Sequence, residues 1–166
     1  MLYTYFGITE YSTEEEIRIS AINRAYIDAA SHVLRIIGGN EEFRKVGTNY
    51  IVQAIQNYPN GNNGYEEWHH SLCDSLAKIN IAVTYGIAQK WVNMTMKYSW
   101  LLGVLPIEVK TVDLHIPIDS YIIDALCDKK ELLKYGLSLD NKILKEKWSK
   151  FSDYAAYAKL QLDAKE

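Results

Sequence analysis

Apolar residues recur every three or four positions along most of this chain, which is the period of one buried face of an α-helix. The first such run ends at about Ile37, where Gly38 and Gly39 favour the end of a helix. Its start is marked by Ser12 with Glu15 three residues later, a pattern typical of a capping box. We therefore predict a long first helix between these two signals.

A second helix is predicted from Glu41 to Asn57, because Pro59 prevents its continuation. The stretch from Asn57 to Gly64 is the strongest break in the pattern, since asparagine, glycine and proline all favour turns. We expect an exposed loop there.

Two further helices follow, with a tight turn around Thr84, Tyr85 and Gly86 between them. Helices joined by so few residues fold back as a hairpin, so the amides of the turn lie at the N-terminus of the fourth helix, where anions are attracted. The apolar positions are Trp68, Leu72, Leu76, Ile79 and Val83 in the third helix, and Ile87, Trp91, Met94, Tyr98 and Leu101 in the fourth.

The remainder of the chain alternates between irregular and helical segments. Residues 104–117 contain two prolines and several β-branched side chains, which predicts an extended or looped segment. Asp119 then has the position of a cap for a short fifth helix. A last helix is predicted from Asp153, with Tyr154 and Tyr157 packed inside.

The whole pattern predicts an all-α fold, a compact multi-helix domain over residues 1–166 with a helix-hairpin-helix turn near residues 84–90. A hydrophobic content of 48% in 166 residues is enough for one core. No apolar run reaches the roughly 20 residues of a membrane span, and no signal-peptide pattern is present, so we expect a cytoplasmic protein without a membrane partner. Cys73 and Cys127 have no paired spacing, which predicts buried thiols and neither a metal site nor a cofactor.

The formal net charge of −3 argues against a protein that binds nucleic acid by bulk electrostatics. Positive charge is nevertheless concentrated in the middle of the chain, where few acidic residues intervene. A local basic groove is compatible with this distribution, which includes Lys78, Lys90, Lys97 and Lys110.

The sequence GIAQK at residues 86–90 resembles the helix-hairpin-helix turn of the DNA glycosylase superfamily that includes endonuclease III and the archaeal 8-oxoguanine glycosylases. Ala88 stands where that family has a second glycine. The resemblance implies that the turn, with Gly86, Ala88 and Gln89, binds a DNA phosphate through its amides. It also implies that Lys90 is the nucleophile that forms a Schiff base with the sugar.

The sequence HIPIDS at residues 115–120 resembles the hydrophobic-Asp-Thr/Ser element that follows the hairpin in the same family. The resemblance implies that Asp119 is the catalytic carboxylate and that His115, Ser120 and Tyr121 lie beside the substrate. It covers about residues 78–126 and does not reach the first seventy residues.

Excision of a base requires that the base leave the helical stack and be held by apolar and aromatic walls. The aromatic candidates for this role are Trp91, Tyr98, Trp100 and Tyr121. His69 and His70 have no third ligand at a useful spacing, so we expect them to be surface and boundary residues.

Three functions are open at this point. The first is a small DNA glycosylase or glycosylase/AP lyase that acts on a modified base through Lys90 and Asp119. The second is a protein of the same fold that binds or hydrolyses a free nucleoside or nucleotide, which an acidic chain opposes less. The third is a non-enzymatic helical interaction module, for instance in defence or counter-defence, that binds a protein through its aromatic residues.

Overall fold

The described part of the chain consists of seven α-helices with irregular connections, and it contains no β-strand. The computed structural model describes residues 2–29, 40–58, 64–127, 147–152 and 154–163. The all-α fold predicted from the periodicity is thereby confirmed. The helices are α1 (Leu2–Phe6), α2 (Glu14–Ala29), α3 (Asn40–Gln56), α4 (Tyr65–Ile79), α5 (Tyr85–Leu101), α6 (Ser120–Cys127) and α7 (Tyr154–Asp163).

The start of α2 corrects the predicted capping box by one residue. The Thr13 hydroxyl accepts a hydrogen bond from the Glu16 amide at 3.3 Å, and the Glu16 carboxylate accepts one from the Thr13 amide at 2.7 Å. Ser12 instead accepts a hydrogen bond from the Thr9 amide. Both Ser12 and Thr13 precede a glutamate by three residues, so the pattern alone does not distinguish them. The predicted end of this helix at Ile37 lies outside the described residues.

The next three helices agree closely with the periodicity, and the turn before α5 differs in detail. Helix α3 begins and ends one residue earlier than predicted, and residues 59–63 of the predicted loop lie outside the described part. Helix α4 ends at Ile79, so Val83 is a buried residue of the connection. Thr84 caps α5 by accepting from the Ile87 amide. Tyr85 and Gly86 therefore belong to the helix itself.

Helix α5 lies at the centre of the molecule and packs most extensively on α2. Its Trp91 is fully buried, with its ring 4.9 Å from that of Tyr26 and 5.5 Å from that of Phe43. The Trp91 indole N–H donates to the Ile22 carbonyl at 3.0 Å. At Gly47 a β-carbon would lie 2.5 Å from this indole, so glycine allows α3 to approach α5. One tryptophan thus joins α2, α3 and α5.

The C-terminal part of the chain returns to α5. Residues 102–119 are irregular apart from one 3-10 turn at Thr111–Asp113, as the prolines predict. A second 3-10 turn, Trp148–Lys150, packs against the N-terminal end of α5. The predicted burial of Tyr157 on α7 is confirmed. None of the helices in the described ranges combines the length and apolar character that crossing a bilayer requires.

Candidate functional site

Lys90 and Asp119 lie together in the folded chain. The Lys90 ammonium nitrogen is 3.3 Å from Asp119 Oδ2, and the two side chains are 13% and 23% exposed. Asp119 Oδ1 accepts a hydrogen bond from the Ile122 amide at 3.1 Å, which confirms the predicted cap of α6. One carboxylate oxygen therefore fixes the helix end, and the other faces the lysine.

The ring of Trp148 also contacts the lysine. The Lys90 ammonium lies 4.6 Å from the centre of the Trp148 ring, a distance at which the ring face attracts a cation. The ammonium is thus held between a carboxylate and an aromatic face. Trp148 was not among the predicted site residues, because it is far from Lys90 in sequence and its lysine-rich surroundings are typical of a solvated basic face.

Three buried amide side chains hold the chain segment that leads to Asp119, and we call Gln89, Asn93 and Gln161 the amide clamp. Gln89 Nε2 donates to the Ile118 carbonyl at 3.1 Å, and Asn93 Nδ2 donates to the Ile116 carbonyl at 3.0 Å. Gln161 accepts from the Ile116 amide at 2.9 Å and donates to its carbonyl at 2.7 Å. The amide clamp explains why the carboxylate is directed at α5.

Several residues expected beside the substrate are enclosed in the protein. Ala88, Gln89 and Trp91 have no exposed surface. Gln89 also donates to the Gly86 carbonyl at 2.9 Å, so its amide group is engaged within the chain. In this structure Gln89 has a positioning role and Trp91 a packing role. Tyr98 is also occupied, because its hydroxyl donates to Asp28 at 2.7 Å.

Ser120 and Tyr121 are accessible, in contrast to these buried residues. Both lie in the first turn of α6, directly after Asp119, and Tyr121 is 82% exposed. Trp100 is also on the surface, at the C-terminal end of α5. Of the four aromatic candidates, Trp91 directly follows Lys90 but is buried, whereas Tyr121 is exposed and lies two residues after Asp119.

His115 is a buried member of a hydrogen-bonded chain that begins at the surface. Its Nε2 lies 2.7 Å from a carboxylate oxygen of the half-exposed Glu66, and its Nδ1 lies 2.8 Å from the Tyr157 hydroxyl. Asn93 Nδ2 donates to that hydroxyl, which can in turn donate to His115 Nδ1. The chain thus connects the surface to the amide clamp.

His69 corrects the expectation that the two adjacent histidines are surface and boundary residues. It is fully buried, and its Nε2 donates to Asn93 Oδ1 at 2.8 Å. Burial, and secondly the charge of nearby His115, hold the pKa of His69 well below its usual range, so the ring is neutral. His70 lies at the boundary as expected and is 3.5 Å from Asp74.

The N-terminal amides of α5 donate hydrogen bonds within the protein. Gly86 N donates to the Phe151 carbonyl at 2.9 Å, while Ile87 N and Ala88 N donate to the hydroxyl and the carbonyl of Thr84. A β-carbon at Gly86 would lie 1.8 Å from the carbonyl oxygen of Trp148. Carbonyl and hydroxyl oxygens of the chain thus occupy the place expected for a phosphate, and Gly86 permits their close approach.

A separate surface groove contains neither Lys90 nor Asp119. This groove of about 540 Å³ lies between α3 and α4, with Tyr50, Gln53, Trp68 and Ser71 in its lining. Within the described ranges, no group of three or more His, Cys, Asp or Glu side chains is arranged to hold a metal ion.

Comparison with known proteins found no match, whether among family models, curated proteins or solved structures.

Proposed function

We propose that Lys90 and Asp119 form the reactive pair of a small DNA glycosylase or glycosylase/AP lyase that acts on a modified base. The observation that supports this proposal is the 3.3 Å contact between the Lys90 ammonium and the Asp119 carboxylate. The two residues belong to separate motifs of the same family resemblance, and their side chains are partly accessible. An ion pair alone is also a common structural feature, so the test must detect chemistry.

The chemistry requires one amine and one carboxylate. As the bond between C1′ and the base breaks, the base departs with the bonding electrons and takes up a proton, while Asp119 stabilises the positive charge on the sugar. The Lys90 ammonium gives up one proton, which matches the proton taken up by the base, and its amine forms a bond to C1′. The C1′–O4′ bond then breaks, O4′ takes a proton from the new C–N group, and a protonated Schiff base is left. The ring of Trp148 supplies an apolar wall beside this reaction.

A second candidate is a free nucleoside or nucleotide as the substrate of the same pair. The occupied amides at the start of α5 favour it, because in this conformation they do not provide a phosphate anchor for duplex DNA. A free nucleoside or nucleotide needs no such anchor. Release of free base from a nucleoside, but not from DNA, is the expected result for this candidate.

Borohydride trapping on abasic and oxidised DNA tests the lyase reaction, because the reagent reduces a Schiff base to a stable adduct. We expect the adduct with the unaltered protein and with the control Lys97→Ala, which removes an exposed lysine of the same helix. Lys90→Ala should abolish it, and Asp119→Asn should slow base release by about 10²-fold or more. Absence of an adduct on every lesion, or its persistence in Lys90→Ala, contradicts the lyase assignment.

A further inference from the structure

A hollow of about 340 Å³ lies between α2 and α3, and neither Lys90 nor Asp119 lines it. This volume is near the lower end of the range of about 300–1,000 Å³ that is usual for small-molecule sites. Asn23 of α2 forms one side. The other side is one face of α3, whose residues at helical spacing are Glu41, Arg44, Lys45, Thr48 and Asn49.

Arg44 is oriented in this hollow without a carboxylate partner. Its Nε donates to Asn23 Oδ1 at 3.0 Å, and its guanidinium lies 5.6 Å from the centre of the Tyr26 ring. Arg18 and Arg24 are paired with acidic residues on α2, whereas Arg44 forms no ion pair within the described ranges. The terminal nitrogens of its guanidinium are therefore able to bind an anion.

Thr48 adds a second, independent polar group to the lining of the hollow. Its hydroxyl is buried and has no hydrogen-bond partner within the part of the chain that the structure describes. A buried hydroxyl without a partner is unfavourable, and most such groups in proteins are satisfied. Rotation of the Thr48 side chain toward the hollow, which this residue lines, would allow a polar ligand to supply the missing bond.

We propose that this hollow binds a phosphate ester that carries a hydroxylated body. Arg44, Lys45, Thr48 and Asn49 supply four donor groups, which suit the oxygens of a tetrahedral phosphate better than the two oxygens of a carboxylate. The lining carries two cations and one carboxylate. The exposed Glu41 repels a bare anion and can accept hydrogen bonds from the hydroxyls of a sugar.

The phosphate can belong to a free sugar phosphate or to the backbone of a nucleic acid, and both share this chemistry. The proposal does not depend on the reactive pair, because the two sets of residues have no member in common. A failure of the borohydride trapping experiment therefore does not affect the test of phosphate binding, and the reverse is also true.

The test is an NMR titration that follows the Arg44 side-chain N–H resonance with ribose 5-phosphate, ribose and a short single-stranded oligonucleotide. We expect a saturable shift with ribose 5-phosphate, at least about tenfold weaker binding of ribose, and at least about tenfold weaker binding of ribose 5-phosphate to Lys45→Gln. Arg18→Gln is the matched control and should bind normally, because Arg18 is already paired with Glu14. Tighter binding of the oligonucleotide at the same residues, with steep salt dependence, assigns the phosphate to a nucleic acid.

Two results would overturn the proposal. One is the absence of a saturable shift with both phosphate-containing probes. The other is binding to both Lys45→Gln and Arg44→Gln that is as strong as binding to the unaltered protein, measured by calorimetry on variants whose circular dichroism shows that they are folded. Equal affinity for ribose and ribose 5-phosphate counts against it as well, because the phosphate would then contribute nothing.

Discussion

His69 and His70 are neighbours in sequence with opposite environments. Successive residues of a helix point about 100° apart, so one of two adjacent histidines can face the core while the other faces solvent. His69 lies four residues after Tyr65 and four before Cys73, both of which are buried. Its position on the apolar stripe of α4 was therefore visible in the sequence, although its partner Asn93 was not.

Neutral, buried His69 makes stability depend on pH. Its pKa is lowered in the folded state, so the unfolded chain binds a proton more readily. Stability is fully present above the ordinary histidine pKa of about 6.5 and is lost as pH falls below it, by at most about 1.4 kcal/mol per pH unit for one proton.

The measurement is urea unfolding of the unaltered protein, His69→Gln and His70→Gln at several pH values between neutral and mildly acidic. Glutamine can still donate to Asn93, so His69→Gln should fold and should show a smaller pH dependence. His70→Gln is the control and should retain the slope. An unchanged slope in His69→Gln would show that other groups cause the pH dependence.

At the scale of elements, the start of α5 binds main-chain carbonyls in and directly after the 3-10 turn Trp148–Lys150. Gly86 N donates to the Phe151 carbonyl, and the Thr84 hydroxyl donates to the Ser149 carbonyl at 2.6 Å. The first of these bonds satisfies an amide that a helix N-terminus otherwise leaves unpaired. The same contact brings the ring of Trp148 over Lys90.

Gly86→Ala should separate these two elements, because its β-carbon would meet the Trp148 carbonyl at 1.8 Å and backbone atoms cannot move aside cheaply. We expect a loss of about 1–3 kcal/mol in unfolding free energy, measured by urea denaturation. Gly64→Ala is the control, since no atom lies closer than 3.7 Å to a β-carbon there. Equal stability of the two variants would contradict the close approach at Gly86.

At the scale of the whole molecule, the amide clamp joins α5, α7 and the irregular segment before α6. Its three members are buried and bind the peptide groups of Ile116 and Ile118. Buried peptide groups need partners, and an irregular segment cannot supply them itself. The amide clamp therefore allows residues 115–119 to pack irregularly against the core, so that Asp119 at the end of this segment contacts Lys90.

Gln89→Leu should weaken both the fold and the reactive pair. The variant removes the Gln89 donor to the Ile118 carbonyl, which costs about 1–3 kcal/mol. A double-mutant cycle between Lys90→Met and Asp119→Asn should give a coupling of up to about 1 kcal/mol, reduced in the Gln89→Leu background. Gln53→Leu, on the exposed face of α3, is the control and should leave the coupling intact. An unchanged coupling in Gln89→Leu would remove the positioning role of Gln89.

Local patterns predicted the helices well and the cap of α2 less well. Apolar spacing located α3 within one residue and α5 within two, because a helix depends on contacts between residues three and four apart. The capping box of α2 was displaced because two overlapping sequences fit it. The amide clamp was not predicted, because Gln89 and Gln161 are polar residues whose partners lie far along the chain.

The sequence by itself determined that the chain is helical, where most helices begin, and that Asp119 caps one of them. Tertiary structure alone decided that Lys90 meets Asp119, that the α5 amides are covered by the chain, and that His69 is buried. The physical reason is range: helix formation and capping are decided within a few residues, whereas the pairing of polar groups depends on which distant segments pack against them.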